Sequence, residues 1–271
     1  MENINEYLAD KYNKPIGEID QLIEDTRLSK LKELVKDLKY LGEFLNEIVK
    51  SCNQQYESDG FAKVTGSVSI KTKFLEEVSR YNKEEQIENY LKDRFFLKSV
   101  DSIKNKIFRK LSSGEDVSLK EFDKSVSDLF RDSIICSNYN LVRMFVNRLK
   151  GDFKSYLPKK RDADGKPTEE IYGLVDKIQV DDESKMNNGY FAYHVQIFLK
   201  SGLSIEIQVF SELTSQWRDI SHRLYEKQRI GKEVRSGAGE ASTRLISLGH
   251  TLHIIDCEIQ RLIDELKNEF K

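Results

Sequence analysis

The stretch "NNGYFAYHVQIFLKSGLSIEIQVF", residues 187–210, decides how this chain is read. In its first half Phe191, Tyr193, Val195, Ile197 and Leu199 fall on alternate positions. In its second half Leu203, Ile205, Ile207 and Val209 do the same. A period of two puts such residues on one face of a strand. Lys200, Ser201 and Gly202 form a tight connection, so the stretch predicts a β-hairpin. Its other face carries Tyr190, His194, Gln196, Glu206 and Gln208. Solvation alone asks for any polar residue there. A ring, an imidazole and a carboxylate in one file can also bind a ligand and handle a proton.

Working outward, "SIIC" (133–136) predicts a short buried strand and "NLVRMFVNRL" (140–149) a helix. Between that helix and the hairpin, "KSYLPKKRDADGKPTEE" (154–170) reads as a loop with a basic cluster, Lys159, Lys160 and Arg161. Toward the N-terminus, Leu28, Leu31, Leu34, Val35, Leu38, Leu41, Leu45 and Ile48 have helical spacing, which predicts one or two amphipathic helices. Residues 83–132 show helical spacing broken by "SSGED" at 112–116. After the hairpin, "LTSQWRDISHRLYEKQR" reads as helix. The last helix, 241–270, has a seam of Leu245, Leu248, Leu252, Ile255, Ile259, Leu262 and Leu266, spaced as in a coiled coil. A long helix with one apolar stripe needs a partner surface. The N-terminal helices are the expected partner, with the same helix of a second subunit as the rival.

The order of elements predicts an α+β fold: a small mixed β-sheet flanked by helices, with helical N- and C-terminal extensions. The expected regions are 1–58, 59–232 and 233–271. At 271 residues and a net charge of −2, with 33% charged residues, the chain is neither uniformly basic nor low in charge. That excludes a chain that coats nucleic acid along its whole length. Three cysteines at wide spacing, Cys52, Cys136 and Cys257, read as reduced thiols rather than a disulfide framework. With no signal-like start and no long apolar run, a cytoplasmic protein without membrane spans is expected.

Each polar feature has an ordinary reading as solvated surface. His250 and His253 lack the spacing and the cysteines of a zinc site. The combination is more specific. "DLFRDSII" places Asp128 just before a buried strand, and Glu206 and Gln208 lie on the hairpin face that also bears His194. Two carboxylates brought together from distant segments suit Mg²⁺, which takes oxygen ligands and substrate phosphates. An aromatic ring after a glycine can stack on a base. Together with Lys and Arg nearby, these describe nucleotide phosphotransfer.

From about Val64 to Lys227 the chain resembles the synthetase domain of the RelA/SpoT family. The family's "NGY-x-S-x-H" corresponds to Asn188 through His194, and its "EIQIRT" to Glu206 through Phe210. "DLFRDSII" (128–135) and the helix with Trp217, His222, Tyr225 and Lys227 match two further motifs in order. The trailing helix is similar to that of the family's small single-domain members. The resemblance implies a nucleotidyltransferase-like sheet and transfer of pyrophosphate from ATP to the 3′-hydroxyl of GDP or GTP, making (p)ppGpp. It implies that Asp128 and Glu206 hold Mg²⁺ and that Tyr190 stacks on the acceptor base. Asn188 and His194 would shape that pocket, and Gln208 would support the carboxylate beside it.

The departures lie where the family carries arginines. In "SVSIKTK" (67–73) Ser69 stands where an Arg is expected, beside Lys71 and Lys73. Ser133 and Phe210 replace two more. An insertion over roughly 80–120 separates the basic stretch from Asp128. Arg131, Lys71, Lys73, or Lys104, Lys106, Arg109 and Lys110 of the insertion are the available substitutes. Three functional readings therefore stand: a guanine-nucleotide pyrophosphokinase, a toxic-synthetase type that modifies the 3′ end of tRNA or makes adenosine alarmones, and a degenerate module that binds nucleotide without transfer. Partners implied are ATP, a guanine nucleotide, tRNA for the second reading, and a homo-oligomer through the terminal helices.

Overall fold

The computed structural model describes residues 4–65, 69–72, 75–78, 80–92, 94, 96–171, 173–181, 189–229 and 238–269. The chain opens with α1 (Ile4–Tyr12) and α2 (Ile16–Ser58), then α3 (Phe61–Thr65), β1 (Ile70–Thr72), α4 (Leu75–Val78) and α5 (Glu84–Leu91). Next come α6 (Val100–Ser112), α7 (Phe122–Ser125), β2 (Phe130–Cys136), α8 (Tyr139–Lys150) and a 3₁₀ turn at Phe153–Tyr156. A small hairpin, β3 (Lys159–Arg161) and β4 (Pro167–Ile171), precedes β5 (Val175–Asp181), β6 (Tyr193–Leu199) and β7 (Ser204–Ser211). Helices α9 (Glu212–Arg229) and α10 (Ala238–Glu269) complete the α+β fold.

The N-terminal apolar pattern forms one helix of 43 residues, α2. It buries Leu31, Leu34, Leu38, Leu41, Leu45 and Ile48, a stripe that advances three or four residues at a time. Gly60, at a φ of 82°, turns the chain from α2 into α3, a conformation that costs glycine nothing.

Among the described residues the main sheet has five strands in the order β1-β2-β7-β6-β5. β2 and β7 run parallel, and every other pairing is antiparallel. The 187–210 hairpin is present as β6 and β7, with Gly202 at a φ of 86° in its turn. Val195, Ile197, Ile205, Ile207 and Val209 are fully buried on its apolar face. α8 packs on β2, β5 and β7, and α2 packs on α8, so sheet, α8 and α2 form successive layers. One apolar cluster extends through these layers from Leu8 to Ile263. The basic stretch read as a loop is in part a second sheet: Lys159 pairs with Ile171 and Arg161 with Pro167.

The last helix corrects an expectation. α10 lies against α9, α3 and α8, and α2 spends its stripe on α8, α4, α5 and α3. The predicted coiled-coil seam does not supply the docking face. Leu248, Ile255, Ile259 and Leu262 are exposed, while Asp256, Gln260 and Ile263 are buried. The buried side is mixed rather than apolar because it closes on polar and backbone groups. Asp256 accepts a hydrogen bond from Ser211 Oγ at 2.5 Å, and the Trp217 indole donates to the Leu245 carbonyl at 2.6 Å. No helix among the described residues is long and apolar enough to cross a membrane.

This placement separates two isoleucines one would otherwise treat alike. Ile263→Ala should lower unfolding free energy by roughly 2–4 kcal/mol, as expected for deleting a buried aliphatic side chain. Ile255→Ala should stay within about 0.5 kcal/mol of the parent. Urea unfolding of both variants checks the docking face, and the reverse order of effects would restore the coiled-coil seam as the packed one.

Candidate active site

Strand register assembles the polar face. On β2 and β7 Arg131 lies opposite Glu206 and Ser133 opposite Gln208. On β6 and β7 His194 lies opposite Gln208 and Gln196 opposite Glu206. Directly paired residues point to the same side of a sheet, so these groups share one face. Lys71 joins that face farther along, opposite Ile135. Ile135 is four residue steps along the strand from Arg131, about 13 Å at roughly 3.3 Å per step. The structure therefore brings Arg131, Glu206, Gln208 and His194 together and leaves Lys71 at the far end. Lys73 and Asn188 lie outside the described residues, as do the side chains of His222, Tyr225 and Lys227.

A hydrogen-bonded file runs along this face. The Tyr190 hydroxyl donates to Gln208 Oε1 at 2.8 Å, and Gln208 Nε2 donates to Glu206 Oε1 at 2.8 Å. His194 Nδ1 stands 3.6 Å from the same carboxylate oxygen. Burial works against the charge of Glu206, but the neighbouring His194, the Gln208 amide and Arg131 outweigh it and hold the carboxyl down to about 2. Glu206 is thus ionised at neutral pH. Burial pushes the Tyr190 phenol up, so it remains a donor. His194 Nε2 is buried with no hydrogen-bond partner among the described residues, a group whose cost a ligand would relieve.

Tyr190 sits among aromatic rings. Trp217 of α9 stacks on it at 6.0 Å and 19°, and His194 meets it edge-on at 5.9 Å. Behind it, α10 crosses the chain at Gly189. A Cβ on Gly189 would lie 2.7 Å from the Ile246 carbonyl oxygen, and one on Gly249 would collide with the Gly189 carbonyl. Phe191 stacks on His253 of α10 at 3.9 Å and 5°. The "NGY" glycine is therefore required twice, by its φ of 72° and by the helix pressed against it.

Asp128 is surrounded by cations. It accepts from Lys98 Nζ at 2.6 Å through Oδ2 and from Lys106 Nζ at 2.5 Å through Oδ1. The Arg131 guanidinium also donates to Oδ2. Burial opposes ionisation of Asp128, yet Arg131, Lys98 and Lys106 hold it far below the ordinary carboxylate range. Lys98 is itself buried. Burial first, then repulsion from Arg131, bring its ammonium down to about 8 despite the attraction of Asp128. Local pairing delivers it: Lys98 N donates to the Leu129 carbonyl, Arg131 N to the Phe96 carbonyl, and Leu97 bridges Phe130. These bonds lay the 96–98 segment along the start of β2.

Of the insertion cations expected to substitute for arginine, Lys106 reaches this cluster. Lys104 instead pairs with Asp20 and Asp101, which pins α6 to α2, and Lys110 pairs with Glu115. Sequence reasoning missed Lys98 and Arg218. Arg218 donates to Ser133 Oγ at 3.1 Å and lies over the Phe210 ring at 5.3 Å. It thus stands against two of the positions from which the expected arginines are missing. Lys98 lies outside every motif, and Arg218, though next to Trp217 in the last motif helix, is not one of its matched positions, so only their side-chain partners mark them.

The resemblance implies a magnesium ion held by Asp128 and Glu206. Both oxygens of Asp128 are taken by cations, and Arg131 acts on Asp128 and Glu206 alike. Mg²⁺ demands near-octahedral oxygen geometry at about 2.0–2.1 Å. Between these two carboxylates the structure presents a guanidinium. As arranged, the pair does not fit a resident ion. Among the described residues no group of three or more His, Cys, Asp and Glu could hold a metal.

The fold and face describe an α+β chain with a polar, cation-rich site on a mixed sheet. No family model matches the chain. No curated protein matches it either. Its structure is similar to small alarmone synthetase 1 from Bacillus subtilis bound to its product pppGpp, at 15% identity and a TM-score of 0.43, over 82% of this chain and 94% of that one. It is also similar to small alarmone synthetase 2 from Bacillus subtilis, at 16% identity and a TM-score of 0.44, over 84% and 99%. A GTP pyrophosphokinase family protein from Streptococcus pneumoniae gives 15% identity and a TM-score of 0.43, over 84% and 94%.

The contact between Gly189 and α10 predicts a steric result. Gly249→Ala should lower the thermal midpoint by several degrees, because its methyl meets backbone rather than a movable side chain. Gly17→Ala, in α2 with nothing within 4 Å, should leave the midpoint unchanged or raise it. Thermal unfolding followed by circular dichroism compares the two, and a Gly249→Ala protein as stable as the parent would refute the close crossing.

Proposed function

We propose that this chain is a pyrophosphokinase that moves the β,γ-pyrophosphoryl group of ATP to the 3′-hydroxyl of a guanine nucleotide, GDP or GTP. The observation that carries this reading is the continuous file Tyr190–Gln208–Glu206 beside Arg131, built in register from segments distant in sequence. The RelA/SpoT resemblance gives roles to Tyr190, Gln208 and Glu206, and Arg131, one of the expected substitutes for the missing arginines, meets them on one face.

The step needs few protein parts. The acceptor 3′ oxygen bonds to the β-phosphorus of ATP as the bridge between the α- and β-phosphoryl groups breaks, and AMP leaves. The hydroxyl proton passes to the Glu206 carboxylate, which Gln208 and His194 orient. Arg131 faces the charge spread over the transferred group. Tyr190 offers its ring to the acceptor base, while its hydroxyl holds Gln208 in place. That second task changes the reading of Tyr190→Phe: it keeps stacking but frees the amide that steadies Glu206.

A second reading, a module that binds nucleotide without transfer, draws on the closure of Asp128 by three cations. The tRNA variant draws on the exposed Lys159, Lys160 and Arg161 of the small hairpin. Self-association through the terminal helices has its surface in the exposed stripe of α10 and is read from the solution mass.

Incubation with γ-labelled ATP and magnesium, offering GDP, GTP, ATP and deacylated tRNA in turn, tests the proposal. Label should appear on the guanine nucleotides. Glu206→Gln should lower transfer by roughly 10²–10⁴-fold, the usual contribution of a positioned base, with an unchanged circular dichroism spectrum. Label on tRNA alone would favour the second enzyme class, and binding of nucleotide with no transfer to any acceptor would leave the module.

Tyr190→Ala should weaken guanine-nucleotide binding by roughly ten- to a hundred-fold, in line with about 1–3 kcal/mol for base–aromatic stacking. Tyr190→Phe should keep acceptor affinity and lower turnover through Gln208. Calorimetric titration alongside the transfer assay separates the two, and an equal loss of affinity in both variants would remove the stacking role.

A further inference from the structure

Three cations meet Asp128, and of these Arg131 alone reaches Glu206, so even with both carboxylates counted the cluster carries excess positive charge at a largely buried position. Excess buried charge is costly unless an opposite charge answers it. Lys98 and Lys106 both belong to the inserted segment, outside every motif of the resemblance. The charge they bring stands against the arginines missing at Ser69, Ser133 and Phe210. Their placement is built rather than incidental. Backbone bonds from 96–98 to β2 hold Lys98, and the Lys104 pairs with Asp20 and Asp101 fix the roll of α6 that turns Lys106 toward Asp128.

We propose that Lys98, Lys106 and Arg131 form a polyphosphate cradle that takes the triphosphate of the donor nucleotide, and that Asp128 serves as the cradle's internal counter-ion rather than as a metal ligand. The inference deepens the pyrophosphokinase reading and rests on it for the identity of the donor. The geometry favours an anion. Both Asp128 oxygens already receive N–H donors at hydrogen-bond distance, and a dication would have to displace ammonium groups and add charge of the same sign. A phosphate chain does the reverse: it offers several charged oxygens to the same donors, and charge-assisted bonds to phosphate are among the strongest available. Lysines act there as point charges and Arg131 as a directional fork. On this account the insertion restores, from α6 and the segment before it, the charge missing from the motifs.

The test titrates inorganic tripolyphosphate, and separately ATP, into the intact protein in the presence of EDTA, with heat as the readout. The parent should bind tripolyphosphate without any divalent ion. Lys106→Ala and Lys98→Met should each weaken binding by ten-fold or more, Lys106→Arg should retain it within a few-fold, and Lys110→Ala, outside the cluster, should leave it unchanged. Asp128→Asn is the decisive variant: removal of the internal competitor should leave affinity equal or tighter. A misfolded variant could not produce that result. The proposal is overturned if tripolyphosphate binds only with magnesium, if Asp128→Asn loses binding while Lys106→Ala keeps it, or if Lys110→Ala weakens binding as much as Lys106→Ala. Tripolyphosphate needs neither acceptor nor transfer. Protein that binds it yet moves no label would therefore discard the transferase reading and keep the cradle.

Discussion

The parallel pairing of β2 with β7 is the constraint on which the rest depends. It sets Arg131 against Glu206 and Ser133 against Gln208, although these segments are far apart in sequence. A slip of one residue would turn the whole polar file to the apolar face, where Ile134, Ile207 and Val209 are fully buried. The register therefore resists slippage for a reason unrelated to chemistry. Burial of aliphatic side chains under α8 holds the ladder, and the ladder holds the site.

Around that ladder, the charges of the cluster are coupled to one another. Arg131 acts on Asp128 and on Glu206, and Lys98 is repelled by Arg131 while it is attracted to Asp128. Such a network is preorganised: its side chains hold one another's orientation without any ligand. The aromatic side is ordered in a different way. Trp217 stacks on Tyr190 and hydrogen-bonds to the backbone of α10, so the terminal helix is tied to the ring proposed to meet the base.

The terminal helix shows how a correct periodicity can lead to the wrong partner. The coiled-coil seam is present in the sequence, yet α10 docks through Gly249, His253, Asp256, Gln260 and Ile263. Glycine allows the closest backbone approach along the helix, and the docking surface around Gly189 and Ser211 offers polar groups to satisfy. An apolar count ranks such a face last. What decides it is fit at short range, and fit does not appear in a hydrophobic pattern.

By itself the sequence determined the hairpin, its two faces, the helical N-terminus and the file of Tyr190, His194, Glu206 and Gln208. These follow from periods of two and of three to four, which are properties of neighbouring residues. The single length of α2 and the small β3–β4 hairpin were beyond that reading, because continuous helix and short strand carry weak local signals. Tertiary structure alone decided which cations meet Asp128. Lys98, Lys106 and Lys104 look alike in sequence, but one pairs along β2, one faces the carboxylate from α6, and one is spent on Asp20. A lysine's partner is set by distance in space, through chain segments that fold together only once the sheet is in place.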